Sequence, residues 1–253
     1  MPGNHDPESS PPAGEPRPAA ELADGQPPVP ARLVDICIVF DTTGSMSGKI
    51  KGLINSMTDF VDELGKVALD WRISVVPFGD LTVSGDRVVL DLPFVTTAEQ
   101  AKEQLTKMPR FSGGGNKGES SIEAVLGATG KRWRDGAVRI LILLTDEPAL
   151  KPGRSDNVLA TLLSAEVITF VASPDHPYYK SWAQRTEGEW FKIGQSMNTD
   201  TLMDLLHRLV GDVAALAADV IDKFGGNYGE YLRSAAGNRA AGNGAAESSA
   251  DKT

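Results

Sequence analysis

The sequence has one cysteine, Cys37, and three histidines in 253 residues. A lone thiol excludes an internal disulfide framework. Cys37 lies inside the apolar run LVDICIVF (33–40), so it reads as a small core residue and not as a reactive thiol. Long hydrophobic runs are missing as well. The longest, ILILL at 140–144, is far below the roughly 20 residues a membrane-spanning helix needs. Residues 1–30 contain no apolar segment of the kind that forms the centre of a signal peptide. Positive charge is scarce: the net charge is -9, and basic clusters such as KRWR (131–134) are short. A nucleic-acid partner is therefore not expected. Together these absences lead to the expectation of a cytoplasmic protein with no membrane segment.

The two ends have little that could build a core. Residues 1–30 are rich in Pro, Gly, Ala and Glu without an apolar period, and read as a disordered N-terminal tail. Residues 226–253 read as a C-terminal tail; from 234 onward they are mostly Ala, Gly, Ser and Asn. Between them, residues 31–225 are long enough for one domain with a sizeable core.

Within 31–225 strand-like runs alternate with helical periods. Apolar strands are expected at 33–40, 71–80, 137–148, in EVITFVAS (166–173) and in EWFKIG (189–194), with a further strand at 86–94. After the first, Ile50, Leu53, Ile54, Met57, Phe60, Val61 and Leu64 recur at helical spacing. A closing helix from about 199 to 223 would turn Leu202, Leu205, Leu206, Leu209, Val213 and Leu216 inward. Thr97 is placed to cap a helix holding Ala101, Leu105 and Met108. Helices between strands imply parallel crossovers. The short link LTVSGD (81–86) is of hairpin length, which makes 86–94 an antiparallel edge strand. The fold class is therefore α/β: a doubly wound, Rossmann-like open sheet of six strands, mostly parallel with one antiparallel edge strand, and helices on both faces. Ligands of such sheets bind beyond the carboxyl ends of the strands.

Three polar stretches fall at that edge. The first strand stops at Asp41, and Asp41, Thr43 and Ser45 alternate along VFDTTGSM (39–46). Asp146 ends the strand in LILLTDEP, and Asn116 follows three glycines in SGGGNKGES (112–120). Two carboxylates, two hydroxyls and an amide oxygen form a set of hard donors. With no histidine or cysteine in these loops, the set suits Mg²⁺, Mn²⁺ or Ca²⁺ and not zinc or copper. Capping of the next helix would account for Thr43 or Ser45 taken singly. It would not account for two carboxylates ending neighbouring strands, because like charges repel and a cation relieves the repulsion. Asp80 reads as a turn residue or one that supports the ligands from behind, and Glu119, in the first turn of its helix, as a cap or a support behind the ligands and not a direct ligand.

These motifs resemble those of von Willebrand factor A domains with a metal-ion-dependent adhesion site, in particular bacterial intracellular members. The family's first loop, D-x-T-x-S in many bacterial members, is matched by Asp41, Thr43 and Ser45. G-G-G-N-K-G-E at 113–119 is similar to the G-G-G-D-x-P-E of one bacterial subset, with Asn116 at the usual Asp position and Gly118 in place of proline, a change expected to loosen the loop. The third loop's aspartate corresponds to Asp146. The resemblance implies a cation held by Asp41, Thr43, Ser45, Asn116 and Asp146, with an open position that accepts a carboxylate from a protein partner. Lys49, Arg110 and Lys117 would favour an acidic partner. A MoxR-type AAA+ ATPase or another assembly component is the partner class the resemblance implies. On this view the protein is not an enzyme.

DTTGSM also resembles the nucleophile loop of haloacid-dehalogenase-type phosphotransferases, in which Asp41 would attack phosphorus and Asp146 would help hold magnesium. Thr43 then stands where a proton-donating carboxylate is expected, TDEPAL lacks the acidic G-D-x-x-x-D signature, and the glycine loop has no role. GGGNKGES does not serve as a phosphate loop, because Ser or Thr does not follow the lysine as that motif requires.

Overall fold

A computed structural model of the chain describes residues 33–64, 70–115, 118–193, 199–225, 227, 229–231 and 233–235. In chain order the elements are β1 (Leu33–Asp41), α1 (Ser47–Leu64), β2 (Asp70–Phe78), α2 (Ala98–Thr106), α3 (Ser121–Thr129), β3 (Val138–Leu144), α4 (Ser155–Ser164), β4 (Val167–Ser173), α5 (Pro177–Arg185), β5 (Trp190–Lys192) and α6 (Thr199–Phe224).

β1 is apolar on both faces because both are covered. Val34, Ile36, Ile38 and Phe40 point into one core layer, with Met46, Ile50, Phe60 and Val61 and with Val213, Ala217 and Val220 of α6. Cys37 and Val39 point into the other, with Ile122 and Val125 of α3, Val158 and Leu162 of α4, and Tyr179 and Trp182 of α5. Strand side chains alternate faces with a period of two, so a strand buried on both sides reads as a continuous apolar run. The side chains of Leu53, Met57, Leu64, Leu202, Leu205, Leu206 and Leu209 lie outside the described residues. Thr97 caps α2 as expected, its hydroxyl accepting a hydrogen bond from the Gln100 amide at 3.3 Å.

The sheet has five strands in the order β2-β1-β3-β4-β5, and every described pairing is parallel. β1 is interior, flanked by β2 and β3. The expected sixth strand at 86–94 is not formed. That segment runs antiparallel to β2 but touches it only at two isolated bridges, Phe78↔Val88 and Ile73↔Val95. Between the bridges the ladder is replaced by side chains. Gln104 accepts from the Val75 amide at 3.2 Å and donates to the Pro93 carbonyl at 2.8 Å, while Ser74 Oγ donates to the Leu92 carbonyl at 3.0 Å. Pro77 and Pro93 have no amide proton to contribute to a ladder. The hairpin-length link was a sound reading of direction, but two prolines and an inserted glutamine prevent regular pairing.

Beyond α6 the described residues 229–231 and 233–235 are again helical. Tyr231 packs edge-on against Phe224, with ring centroids 5.6 Å apart, and joins the first core layer. Described packing therefore extends past residue 225, into the stretch read from the sequence as tail. The expected N-terminal tail, residues 1–30, lies outside the described residues.

Candidate metal centre

Parallel register sets the site. Phe40 pairs with Leu144, so Asp41 falls opposite Thr145 at the carboxyl edge, with Asp146 one residue further on. Phe78 pairs with Asp41 from the other side, which brings Asp80 to the same edge.

Asp41 is fully buried. Its Oδ1 accepts from the Thr43 amide at 3.0 Å and the Thr43 hydroxyl at 2.6 Å, and its Oδ2 accepts from the Thr145 hydroxyl at 2.7 Å. Thr43 Oγ1 lies 3.3 Å from Ser45 Oγ. Ser45 Oγ in turn donates to Asp146 Oδ1 at 2.8 Å. The loop after β1 is pinned on both sides: Thr42 donates its amide to the Phe78 carbonyl at 3.1 Å and accepts from the Phe111 amide at 3.0 Å. Ser45 is delivered by a short 3-10 turn, Gly44–Met46, whose Met46 anchors in the core.

Four of the five expected ligands thus converge in one chain of contacts running Asp41, Thr43, Ser45, Asp146. The fifth, Asn116, lies outside the described residues, as does Lys117. The glycine loop that carries them is held from both ends. Asp86 accepts from the amides of Ser112 at 3.0 Å and Gly113 at 2.9 Å. On the far side the Glu119 amide donates to the Pro148 carbonyl at 2.9 Å, and Glu119 accepts from the Leu150 amide at 3.0 Å. Gly118 has φ +146°, a backbone conformation closed to proline, whose ring holds φ near −65°. The glycine in place of proline therefore fits a specific bend tied to the loop after β3.

Burial makes the acidic groups costly. It pushes Asp41 up from 3.8 to about 6, against the lowering effect of its Thr43 and Thr145 hydrogen bonds, with Asp146 adding repulsion. Glu119 is pushed up from 4.5 to about 8, first by burial and then by Asp41, Asp80, Asp86 and Glu147. Its Oε2, like Oδ2 of Asp80, is buried without a hydrogen-bond partner among the described residues. Asp80 does form the expected turn, its Oδ1 accepting from the Thr82 amide at 2.8 Å and hydroxyl at 2.7 Å. Among the described residues no three carboxylate, imidazole or thiol side chains converge closely enough to hold a metal by themselves. A cation here must therefore draw on the hydroxyls, and the oxygen-only set of buried Asp41, Thr43 and Asp146 with exposed Ser45 fits a hard divalent ion.

Sequence reasoning missed Thr145 and read Lys49 only as a charge favouring an acidic partner, not as the partner of Asp146. Thr145 was legible in principle, since it directly precedes Asp146 and faces Asp41 once β1 and β3 are aligned. Lys49 donates to Asp146 Oδ2 at 2.7 Å from the first turn of α1. Its spacing of four from Ser45 is the one signal the sequence offered. Asp86 gave none, because its role depends on the irregular course of 86–95.

Two solved structures illustrate the fold. Both are of proximal thread matrix protein 1 from the mussel byssus, in two crystal forms. One has a TM-score of 0.55 at 19% identity over 71% of this chain, the other 0.55 at 18% over 72%. This chain spans only 46% of that protein's length. No curated protein matches. Comparison with protein-family models matches residues 35–198 to the von Willebrand factor type A domain. With that match and the parallel sheet beneath the clustered loop residues, the chain belongs to the von Willebrand factor type A domain family.

Proposed function

We propose that the chain is a cation-dependent protein-binding module and not an enzyme. The observation that carries this reading is the cluster in which buried Asp41, Thr43 and Asp146 meet exposed Ser45 at the carboxyl edge of the sheet. These residues, with Asn116 from the glycine loop, would hold Mg²⁺, Mn²⁺ or Ca²⁺. Bound there, the cation would supply positive charge and one exchangeable position for a partner's carboxylate. Asp41 contributes charge, and Thr145 fixes its orientation. Thr43 and Ser45 contribute neutral oxygens, so the site stays less negative than an all-carboxylate cage and keeps affinity for an incoming anion.

The rim supports an acidic partner. A cavity of about 240 Å³ beside Thr43 is lined by Gly44, Ser47, Lys51, Arg110 and Phe111. Arg110 is partly desolvated there, which lowers its pKa. We propose a protein partner that presents an acidic residue to the cation and further acidic groups to this rim, within a cytoplasmic multi-protein assembly. A MoxR-type AAA+ ATPase is one such partner class. No described helix is long and apolar enough to cross a membrane.

A phosphotransferase would need one oxygen of Asp41 aimed outward for attack. Instead Oδ1 accepts two hydrogen bonds and Oδ2 one, all from the protein. The two functions separate in one experiment. The full chain is incubated with Mg²⁺ and p-nitrophenyl phosphate, and in parallel a candidate partner is retained on the immobilised chain with Mg²⁺ and then washed with chelator. The module reading expects no turnover and chelator-reversible retention. Turnover lost in Asp41→Asn would overturn it.

A further inference from the structure

We infer that Lys49 is a built-in counter-cation of the metal centre: its ammonium holds the Asp146 oxygen that a divalent ion would neutralise, so cation entry displaces it. The inference rests on the cation-binding reading of the Asp41–Asp146 cluster and adds a residue that sets its affinity.

The geometry is closed. Lys49 Nζ donates to Asp146 Oδ2 at 2.7 Å, and Ser45 Oγ takes Oδ1 at 2.8 Å, so both oxygens of Asp146 are engaged. The ion pair is shielded from water: the side chains of Lys49 and Asp146 are 9% and 0% exposed. Placement of this lysine is otherwise unfavourable. It sits in the first turn of α1, which begins at Ser47. The positive end of the helix dipole repels an ammonium there, and burying its charge is costly unless a counter-charge is supplied. Asp146 supplies that counter-charge.

Charge balance then predicts competition. The cluster holds two buried carboxylates, Asp41 and Asp146, and one ammonium. The ammonium balances one of them, whereas a divalent ion balances both. Nζ and the metal seek the same negative field, and their mutual repulsion is strong where water is excluded. The lysine therefore weakens cation binding and, on leaving Asp146, presents its ammonium at the rim. There it adds positive charge that an acidic partner can use.

The test measures Mn²⁺ affinity of the full chain by calorimetry for wild type, Lys49→Met and Lys49→Arg. Methionine keeps the apolar stem without the charge; arginine keeps the charge. The inference expects Lys49→Met to bind about ten-fold tighter or more, with Lys49→Arg near wild type. Independently of any substitution, acetylation of Lys49 by acetic anhydride, read by mass spectrometry, should rise when Mn²⁺ is added. If Lys49→Met fails to fold, the labelling decides alone. Equal affinities in wild type and Lys49→Met would overturn the inference and leave the cation reading standing. A wild type blind to Mn²⁺ beside a Lys49→Met that binds it would support the inference in its strongest form and refute cation-dependent function. Binding by none of the three would overturn both.

Discussion

Replacing Asp41 by asparagine should stabilise the metal-free domain at neutral pH and destroy its response to metal. Burial lifts the Asp41 carboxyl from 3.8 to about 6. Each pH unit of that displacement corresponds to about 1.4 kcal/mol, so ionised Asp41 costs the metal-free fold about 3 kcal/mol. The sign follows from proton binding. Between 3.8 and about 6 the folded state holds more protons than the unfolded one, so wild-type stability falls as pH rises through that window and stays low above it. Asparagine carries no charge to desolvate. Its carbonyl can keep the two Thr43 bonds that Oδ1 now accepts, and its amide can donate to the Thr145 hydroxyl. Urea unfolding with chelator should therefore show Asp41→Asn more stable than wild type by about 3 kcal/mol near pH ~7.5, with most of the difference gone near pH ~4. Magnesium should then narrow the gap. At 100 times its dissociation constant it would stabilise wild type by about 2.7 kcal/mol and leave the variant unchanged. A variant no more stable than wild type at neutral pH, or a difference independent of pH, would refute the reasoning.

Glu119 should produce a second pH dependence in the metal-free chain: with its carboxyl raised from 4.5 to about 8, stability should decline as pH rises through that range, and Glu119→Gln should flatten the decline in a pH series of thermal melts. Gly113→Ala should disturb the site. Gly113 has φ +71°, and a Cβ there would meet Glu119 Oε1 at 2.9 Å and Thr43 Cβ at 3.1 Å. The expected loss is about 1 kcal/mol or more, with a weakened metal-induced shift in melting temperature, and an unchanged shift would count against the loop's role. At the opposite end of β1, Asp35 holds Arg72 Nε at 2.9 Å and Arg134 Nε at 2.8 Å. Asp35→Ala should cost about 3 kcal/mol in urea unfolding, by removing the buried carboxylate that Arg72 and Arg134 share and leaving Arg134 only its pair with exposed Asp70, while the metal response survives.

Most of the sheet was legible because its strands are buried on both faces. LVDICIVF and ILILL have no alternation to misread, and helical periods between them dictated parallel crossovers. The segment 86–94 looked equally strand-like. Its failure to pair depends on Pro77, Pro93 and the Gln104 side chain from α2, a long-range insertion that no local pattern displays. At the site, Asp41, Thr43, Ser45 and Asp146 were readable because each terminates or follows an apolar strand. Thr145 needed the alignment of β1 with β3 to be seen facing Asp41, and Lys49 was read as a charge for a partner because its buried pairing with Asp146 depends on how α1 packs. Gly118 was read through the proline it replaces, and only its φ of +146° shows why proline does not fit this bend.

The central claim is that one divalent cation is held by the hydroxyls and carboxylates at the carboxyl ends of β1 and β3. Anomalous diffraction from a crystal of the chain soaked in Mn²⁺ tests it most directly. The account predicts one strong peak in contact with the side chains of Thr43 and Ser45, absent from crystals of Ser45→Ala. A Mn²⁺-soaked crystal with no peak at these residues, or with its only peak elsewhere, would contradict it.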